Sequence, residues 1–153
     1  MADTGKIQDK FTSEEWDVLS SSPISIFCLV AGADGSIDKK EFMEFAKIIL
    51  GLKHFDHELI KAVYASTVDG IEAKFNNVIK NLETIKSYVK RVRPILKGKV
   101  EDKIVDEFCK SLLFLGHKVA SASGGFLGFG SKVSKEEKEM LIRIATMLDV
   151  EYN

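Results

Sequence analysis

The sequence predicts an all-α fold, a compact bundle of about six to seven helices. Two observations lead to this prediction. Apolar residues recur at three- and four-residue spacing in every long segment, and no stretch shows the sustained apolar–polar alternation of a β-strand. The length of 153 residues is ordinary for one domain. We therefore expect a flexible N-terminal segment over residues 1–10 and a single helical domain over residues 11–153.

The first helix is predicted to begin at Thr12, which has the spacing of a capping box with Glu15. Phe11 precedes the cap and Trp16 lies one turn inside the helix, which is the arrangement of a hydrophobic staple. Pro23 is expected to break or restart this helix, because proline has no amide N–H and its ring crowds the preceding turn.

Two shorter helices are predicted next. Gly32 to Gly35 end the first helix, Asp38 begins the second, and Gly51 is placed to terminate it. Asp56 is expected to cap a short third helix, and the pair Asp69-Gly70 predicts the turn after it.

The second half of the chain predicts three more helices. The helical period holds from Ile71 to Val92, which indicates one amphipathic helix that Pro94 stops. A further helix is predicted from Glu101 to about Ala120, and a loop rich in serine and glycine follows over residues 121–131. Ser134 then caps the last helix.

Composition and charge exclude several classes of protein. A net charge of −1 gives no global field for nucleic acid or an anionic membrane. The longest uncharged run, Leu19 to Ala33, is shorter than the roughly 20 residues of a membrane helix, and the first ten residues do not resemble a signal peptide. Cys28 and Cys109 lie in apolar helical patterns. We therefore expect both to be buried free thiols in a protein of a reducing compartment. We therefore expect a cytoplasmic protein without a transmembrane segment.

The segment from Ala33 to Glu41, Ala-Asp-Gly-Ser-Ile-Asp-Lys-Lys-Glu, invites comparison with a calcium-binding EF-hand loop. With Glu41 as the twelfth loop position, Gly35 is the glycine such loops require. The first and third ligand positions are then Val30 and Gly32, whose side chains cannot bind calcium. An EF-hand is therefore rejected, and a helix–turn–helix corner remains.

This corner resembles the first motif of TerB-like domains, named for tellurite resistance. Such domains place a second, similar corner near the C-terminus, and here residues 133–137 align with residues 37–41. The last helix closes with Ile144 to Leu148, as the family's does. The resemblance covers roughly Phe11 to Val150 and implies two pseudo-symmetric corners. It also implies a stress-linked bacterial cytoplasmic module that binds an ion or a partner and turns over no substrate.

The resemblance implies a site for a divalent ion built from acidic clusters. The candidate ligands are Asp34, Asp38, Glu41 and Glu137, whose hard oxygen atoms suit calcium or magnesium. Capping is the alternative that we favour, because a capping box and a turn residue account for the same acids without a metal. The second corner also departs from the family pattern, since Gly130-Ser131 stands where an Asp-Gly pair is usual.

The segment over residues 124–130, the Gly-Phe loop, offers a different kind of site. Its apolar residues Phe126, Leu127 and Phe129 either fold back onto the core or contact a protein partner or a membrane surface. The glycines do not form a phosphate-binding loop, because the lysine and serine after Gly130 are in the wrong order and no strand precedes them. A metal-free interaction scaffold that uses this loop is thus the alternative function.

Basic residues concentrate in one segment, which we call the basic cluster: Lys86, Lys90, Arg91, Arg93, Lys97 and Lys99. We predict a solvated face that complements a helix C-terminus, and no nucleic-acid binding, because aromatic residues are sparse around it. No serine or cysteine comes with an identifiable base and orienting acid. The sequence therefore predicts no enzyme, and a small-molecule or enzymatic role is the less favoured alternative.

Overall fold

The computed structural model describes residues 7–32, 39–51, 57–126 and 133–152, without the side chains of Lys39 and residues 122–126. Within these ranges the chain is helical and contains no β-sheet. Seven of its helices have eight or more residues, so the predicted all-α bundle is confirmed. The helices are α1 (Ser13–Ala31), α2 (Lys39–Gly51), α3 (Glu58–Val68), α4 (Ile71–Val78), α5 (Leu82–Lys90), α6 (Val92–Leu96), α7 (Asp102–Phe126) and α8 (Lys135–Leu148).

Helix α1 lies at the centre of the bundle. Every residue from Val18 to Ala31 is buried, and α3 to α8 all pack against this helix. A helix surrounded in this way must be apolar or small all round. Serine meets that requirement because it is small and its hydroxyl can donate to a carbonyl of its own helix. Ser25 Oγ, for example, donates to the carbonyl of Ser21 at 3.3 Å. Ile7 also packs into this core, four residues before the predicted start of the domain.

The start of α1 has the predicted geometry. The Thr12 amide donates to Glu15 Oε1 at 2.9 Å, and the Glu15 amide donates to Thr12 Oγ1 at 3.1 Å. The ring centroids of Phe11 and Trp16 are 5.7 Å apart, as expected for the staple. The capping box and the staple are therefore both confirmed.

The expectation that Pro23 breaks α1 is wrong, because the helix runs through it from Ser13 to Ala31. Proline removes the amide that would donate to the carbonyl four residues back, that of Leu19. The Ser22 hydroxyl donates to this carbonyl instead, at 2.7 Å. The Ser22 side chain thus replaces the missing amide donor in the buried part of the helix.

The helix predicted from Ile71 to Val92 is divided into two. Residues 79 and 80 form a turn, and Asn81 takes an extended conformation in which its side chain accepts the Thr84 amide at 2.8 Å. This cap starts α5 as a new helix. The apolar period continues across the break because both helices pack against α1.

Three other predicted boundaries need correction. Pro94 lies inside the short helix α6 rather than stopping a helix, since an amide in the first turn has no intrahelical partner to lose. Helix α3 is capped by His57, whose Nδ1 accepts the Leu59 amide at 3.0 Å, and not by Asp56, which lies outside the described residues. Helix α7 continues beyond Ala120 to Phe126, because adding residues to an existing long helix requires no new nucleus.

The hydrogen bond from the Ser22 hydroxyl to the Leu19 carbonyl generates a first prediction. Ser22→Ala leaves the buried Leu19 carbonyl without a donor and should lower the free energy of unfolding by about 1–2 kcal/mol. Ser25→Ala is the matched control, because the carbonyl of Ser21 keeps its helical amide donor. Urea unfolding of both variants measures the difference. Equal destabilisation by the two substitutions would contradict this role of Ser22.

Candidate functional site

The two predicted corners precede α2 and α8. Helix α8 begins at Lys135 after the Ser134 cap, and the described part of α2 begins at Lys39, the residue that aligns with Lys135. Asp34 and Asp38 lie outside the described residues. Glu41 lies half-buried in the first turn of α2. The pseudo-repeat and the ligand roles of Asp34, Asp38 and Glu41 stay predictions.

Glu137 serves as a helix cap. Its Oε1 accepts the Ser134 amide at 3.0 Å, while the Ser134 hydroxyl oxygen accepts the Glu137 amide at 3.1 Å. The glutamate is buried, so the cap removes its carboxylate from solvent. In the part of the chain that the structure describes, no three histidine, cysteine, aspartate or glutamate side chains are grouped to hold a metal ion.

The residues of the Gly-Phe loop that were predicted to contact a partner lie at or beyond the end of the described segment 57–126. Phe126 ends α7, but its side chain lies outside the description, as do Leu127 and Phe129. Their predicted partner role therefore stays a prediction.

Helix α2 is attached to the core by phenylalanines. Phe45 stacks on Phe27 of α1 with ring centroids 4.6 Å apart, and Phe42 contacts Phe75 of α4 at 4.8 Å. Because these rings all lie on one side of α2, its opposite side faces solvent.

An apolar groove opens where α2 meets α3, and we call it the α2–α3 groove. Its volume is about 370 Å³. Leu50 stands at its edge with 62% of its surface exposed, and Met43 on the outer face of α2 is 55% exposed. The lining residues are Ile49, Leu50, Ile60, Lys61, Tyr64, Ala65 and Val68. Exposed leucine and methionine side chains beside an apolar cavity are typical of a binding surface.

The polar end of Tyr64 is used inside the protein. Its hydroxyl lies 3.2 Å from Ser111 Oγ, and Ser111 donates its own hydrogen to the Phe108 carbonyl at 2.6 Å. Tyr64 must therefore donate to Ser111, and burial raises the pKa of the phenol well above its usual range. The groove receives only the apolar part of this side chain.

Half of the basic cluster is used to hold the fold together. Arg93 donates to the Leu148 carbonyl at 3.0 Å and pairs with Asp106 at 2.9 Å, so it caps the C-terminus of α8. Arg91 pairs with Glu14 at 3.1 Å, and Lys99 pairs with Glu15 at the start of α1. The Lys99 ammonium lowers the pKa of the Glu15 carboxyl, and the Thr12 amide adds to this effect.

Both cysteines are free and buried, as predicted. Burial raises the pKa of the Cys28 thiol to about 12 and that of Cys109 to about 11. Since the thiolate is the reactive form, neither cysteine is activated as a nucleophile.

A second cleft, which sequence reasoning missed, lies beside His117. The residues that line it come from α7 and from the C-terminal segment, where Tyr152 stacks on His117 with ring centroids 5.4 Å apart. No local pattern could have revealed this contact, because the two residues are far apart in the sequence and neither belongs to a motif.

Comparisons with known proteins leave the family open. No family model matches the chain, and no solved structure matches it significantly. The chain is 29% identical over 150 residues to an uncharacterized protein, ORF11′, of Methanothermobacter thermautotrophicus. The match covers 94% of this chain and 93% of that protein, so the two are similar along nearly their whole length.

None of the helices in the described ranges is long and apolar enough to cross a membrane.

The role of Arg93 generates a second prediction. Arg93→Met leaves the end of α8 and Asp106 without their donor and should lower the free energy of unfolding by about 1–2 kcal/mol. Lys90→Met is the control, because this exposed lysine of the same cluster makes none of these contacts. Urea unfolding compares the two variants. If both lose the same stability, Arg93 has no special part in the fold.

Proposed function

We propose that this chain is a non-enzymatic, cytoplasmic, TerB-like binding module whose ligand is an amphipathic helix of a protein partner. The observation that carries the proposal is the α2–α3 groove, an apolar cavity with Leu50 exposed at its edge. The corner pattern of residues 33–41 and its echo at residues 133–137 support the TerB-like assignment. A stress-linked role is what the resemblance adds.

The shape and charge of the groove favour a helix as its occupant. A groove between two helices accepts the apolar face of a third, whose anchors recur at three- and four-residue spacing. A volume of about 370 Å³ holds one or two such side chains. Lys61 lines the groove, whereas Lys47 on the outer face of α2 pairs with Glu44 at 3.5 Å. We therefore expect an acidic residue beside the partner's apolar anchors, at the position that faces Lys61.

The reactive groups of the described residues support a role without catalysis. Both thiols are buried with raised pKa values, and the Tyr64 hydroxyl is engaged with Ser111. Neither group is poised as a nucleophile or base beside the groove.

The groove proposal generates a third prediction. A photo-crosslinking amino acid at position 50 should capture one helical segment of a partner, which mass spectrometry of the adduct identifies. A synthetic peptide of that segment should bind the unmodified protein. Leu50→Glu should weaken this binding at least about tenfold, because it places an unpaired charge against an apolar surface. Lys61→Glu should weaken binding more at low salt than at high salt.

Ile142→Glu is the matched control, since Ile142 is also an exposed apolar residue but lies on α8, outside the groove. It should leave the affinity for the peptide unchanged. Capture of a second copy of this chain would replace the partner by self-association and overturn the proposal. Capture only from positions 126 and 129 would favour the Gly-Phe loop as the metal-free scaffold.

A divalent ion at the first corner is the second candidate function. It is favoured by the position of Glu41 in the first turn of α2, directly after the segment that carries Asp34 and Asp38. We place the proposed site at the first corner without Glu137, since one oxygen of its carboxylate already accepts the Ser134 amide. Carboxylates suit calcium and magnesium.

Titration calorimetry of the metal-stripped protein tests this site and gives a fourth prediction. Calcium or magnesium should bind more tightly than about 1 mM, and the double variant Asp34→Ala, Glu41→Ala should lose this binding. Glu137→Gln should keep it. Binding that survives the double variant, or that is lost with Glu137→Gln, would contradict a site at the first corner.

A further inference from the structure

The cleft beside His117, which we call the C-terminal cleft, has the features of a site for a small molecule. Its volume is about 360 Å³, and it shares no lining residue with the α2–α3 groove. Pockets for small ligands start near this size, at roughly 300 Å³. The lining residues are Lys110, Leu113, Phe114, His117 and Glu151.

One wall of the cleft is a single face of α7. Lys110, Leu113, Phe114 and His117 follow one another at helical spacing, so their side chains lie along the same stripe. Leu113 is buried and Phe114 half-buried, which makes the middle of this wall apolar. Lys118 lies with its ammonium 5.3 Å from the centre of the Phe114 ring.

The other wall is the C-terminal segment, which is held at both ends. Helix α8 ends in a Schellman motif, in which the Val150 amide donates to the Ala145 carbonyl at 3.0 Å and Asp149 takes the left-handed conformation at φ 56°. Two residues after Val150, Tyr152 stacks on His117 with an angle of 28° between the rings. Glu151 lies between these two anchors, which fixes its place at the cleft.

The cleft is lined by two side chains of opposite charge, Lys110 and Glu151. Neither Lys110 nor Glu151 has an ion pair or a hydrogen bond from its side chain within the described ranges. Partial burial lowers the pKa of the His117 imidazole, which favours the neutral form of this lining residue. The lining of the cleft therefore presents one cation, one anion and an apolar surface, and the Lys118 ammonium lies beside it at the Phe114 ring.

We propose that the C-terminal cleft binds a small amino acid. The carboxylate of the ligand pairs with Lys110, its ammonium group pairs with Glu151, and its apolar part lies on Leu113 and Phe114. Charge complementarity distinguishes this ligand from simpler ones. A plain anion meets the repulsion of Glu151, and a plain cation meets that of Lys110. An uncharged apolar molecule leaves both charges facing it without a partner.

Calorimetry with two zwitterions tests the proposal. L-leucine carries both charges on one carbon, and 6-aminohexanoate carries them at the two ends of an apolar chain. At least one should bind saturably. For the preferred ligand, the analogue with an amide in place of the carboxylate and the analogue with an acetylated amine should each bind about tenfold more weakly or worse.

Two variants assign the charges. Lys110→Met should abolish the preference for the zwitterion over its amide, and Glu151→Gln should abolish the preference over its acetylated form. Lys103→Met is the control, because Lys103 is exposed on the same helix outside the cleft, and it should preserve both preferences. No saturable binding of either zwitterion up to about 10 mM would overturn the proposal. Equal affinity for zwitterion and analogues would overturn it as well.

Discussion

The burial of α1 from Val18 to Ala31 is the constraint on which the rest of the structure depends. A helix enclosed on all sides needs neighbours around its whole circumference, and α3 to α8 supply them. Polar groups inside such a helix are tolerated only if they are satisfied within the protein. The serines meet this condition by bonding to carbonyls of α1 itself, and the Thr67 hydroxyl adds a bond from α3 to the Ser20 carbonyl at 2.6 Å. Described side-chain polar atoms that are buried all have a partner.

Because the interior of the bundle is filled, the candidate sites lie at its surface, beside segments that contact the core on one side only. Helix α2 is held through phenylalanines on its inner face, so Met43 and Leu50 remain exposed. The C-terminal segment is held by a helix cap and one aromatic stack, so a cleft remains beside it. Both candidate sites therefore arise from partial attachment to the core. The exposed residues of the two sites, among them Leu50 and Glu151, do not fill the core, so substitutions at these positions can test the proposed binding without removing core side chains.

The sequence predicts features that depend on residues within about one helical turn of each other. The predictions were wrong or missing where a residue distant in the sequence, or a side chain that replaces a lost hydrogen bond, determines the structure. The capping boxes at Thr12 and Ser134 are four-residue patterns, and both formed as expected. The helix continues through Pro23 because the Ser22 hydroxyl replaces the missing donor and other helices enclose this part of α1, and a proline pattern indicates neither. The break at Asn81 was missed because a turn between two helices on the same core preserves the apolar period. The contact of His117 with Tyr152 joins segments whose separation in sequence gives no signal.

The first corner shows why acidic patterns are ambiguous and how the second corner helps to resolve them. An acid at the third helical position satisfies either a backbone amide or a metal ion, and both uses produce the same residue types. At the second corner the matching glutamate, Glu137, is a cap, and its motif lacks the aspartate that precedes the first corner. The second corner is thus an internal reference for what capping alone requires. Any ion affinity of the first corner must therefore come from what distinguishes it, the additional carboxylates of Asp34 and Asp38, where the second corner has Gly130 and Ser134.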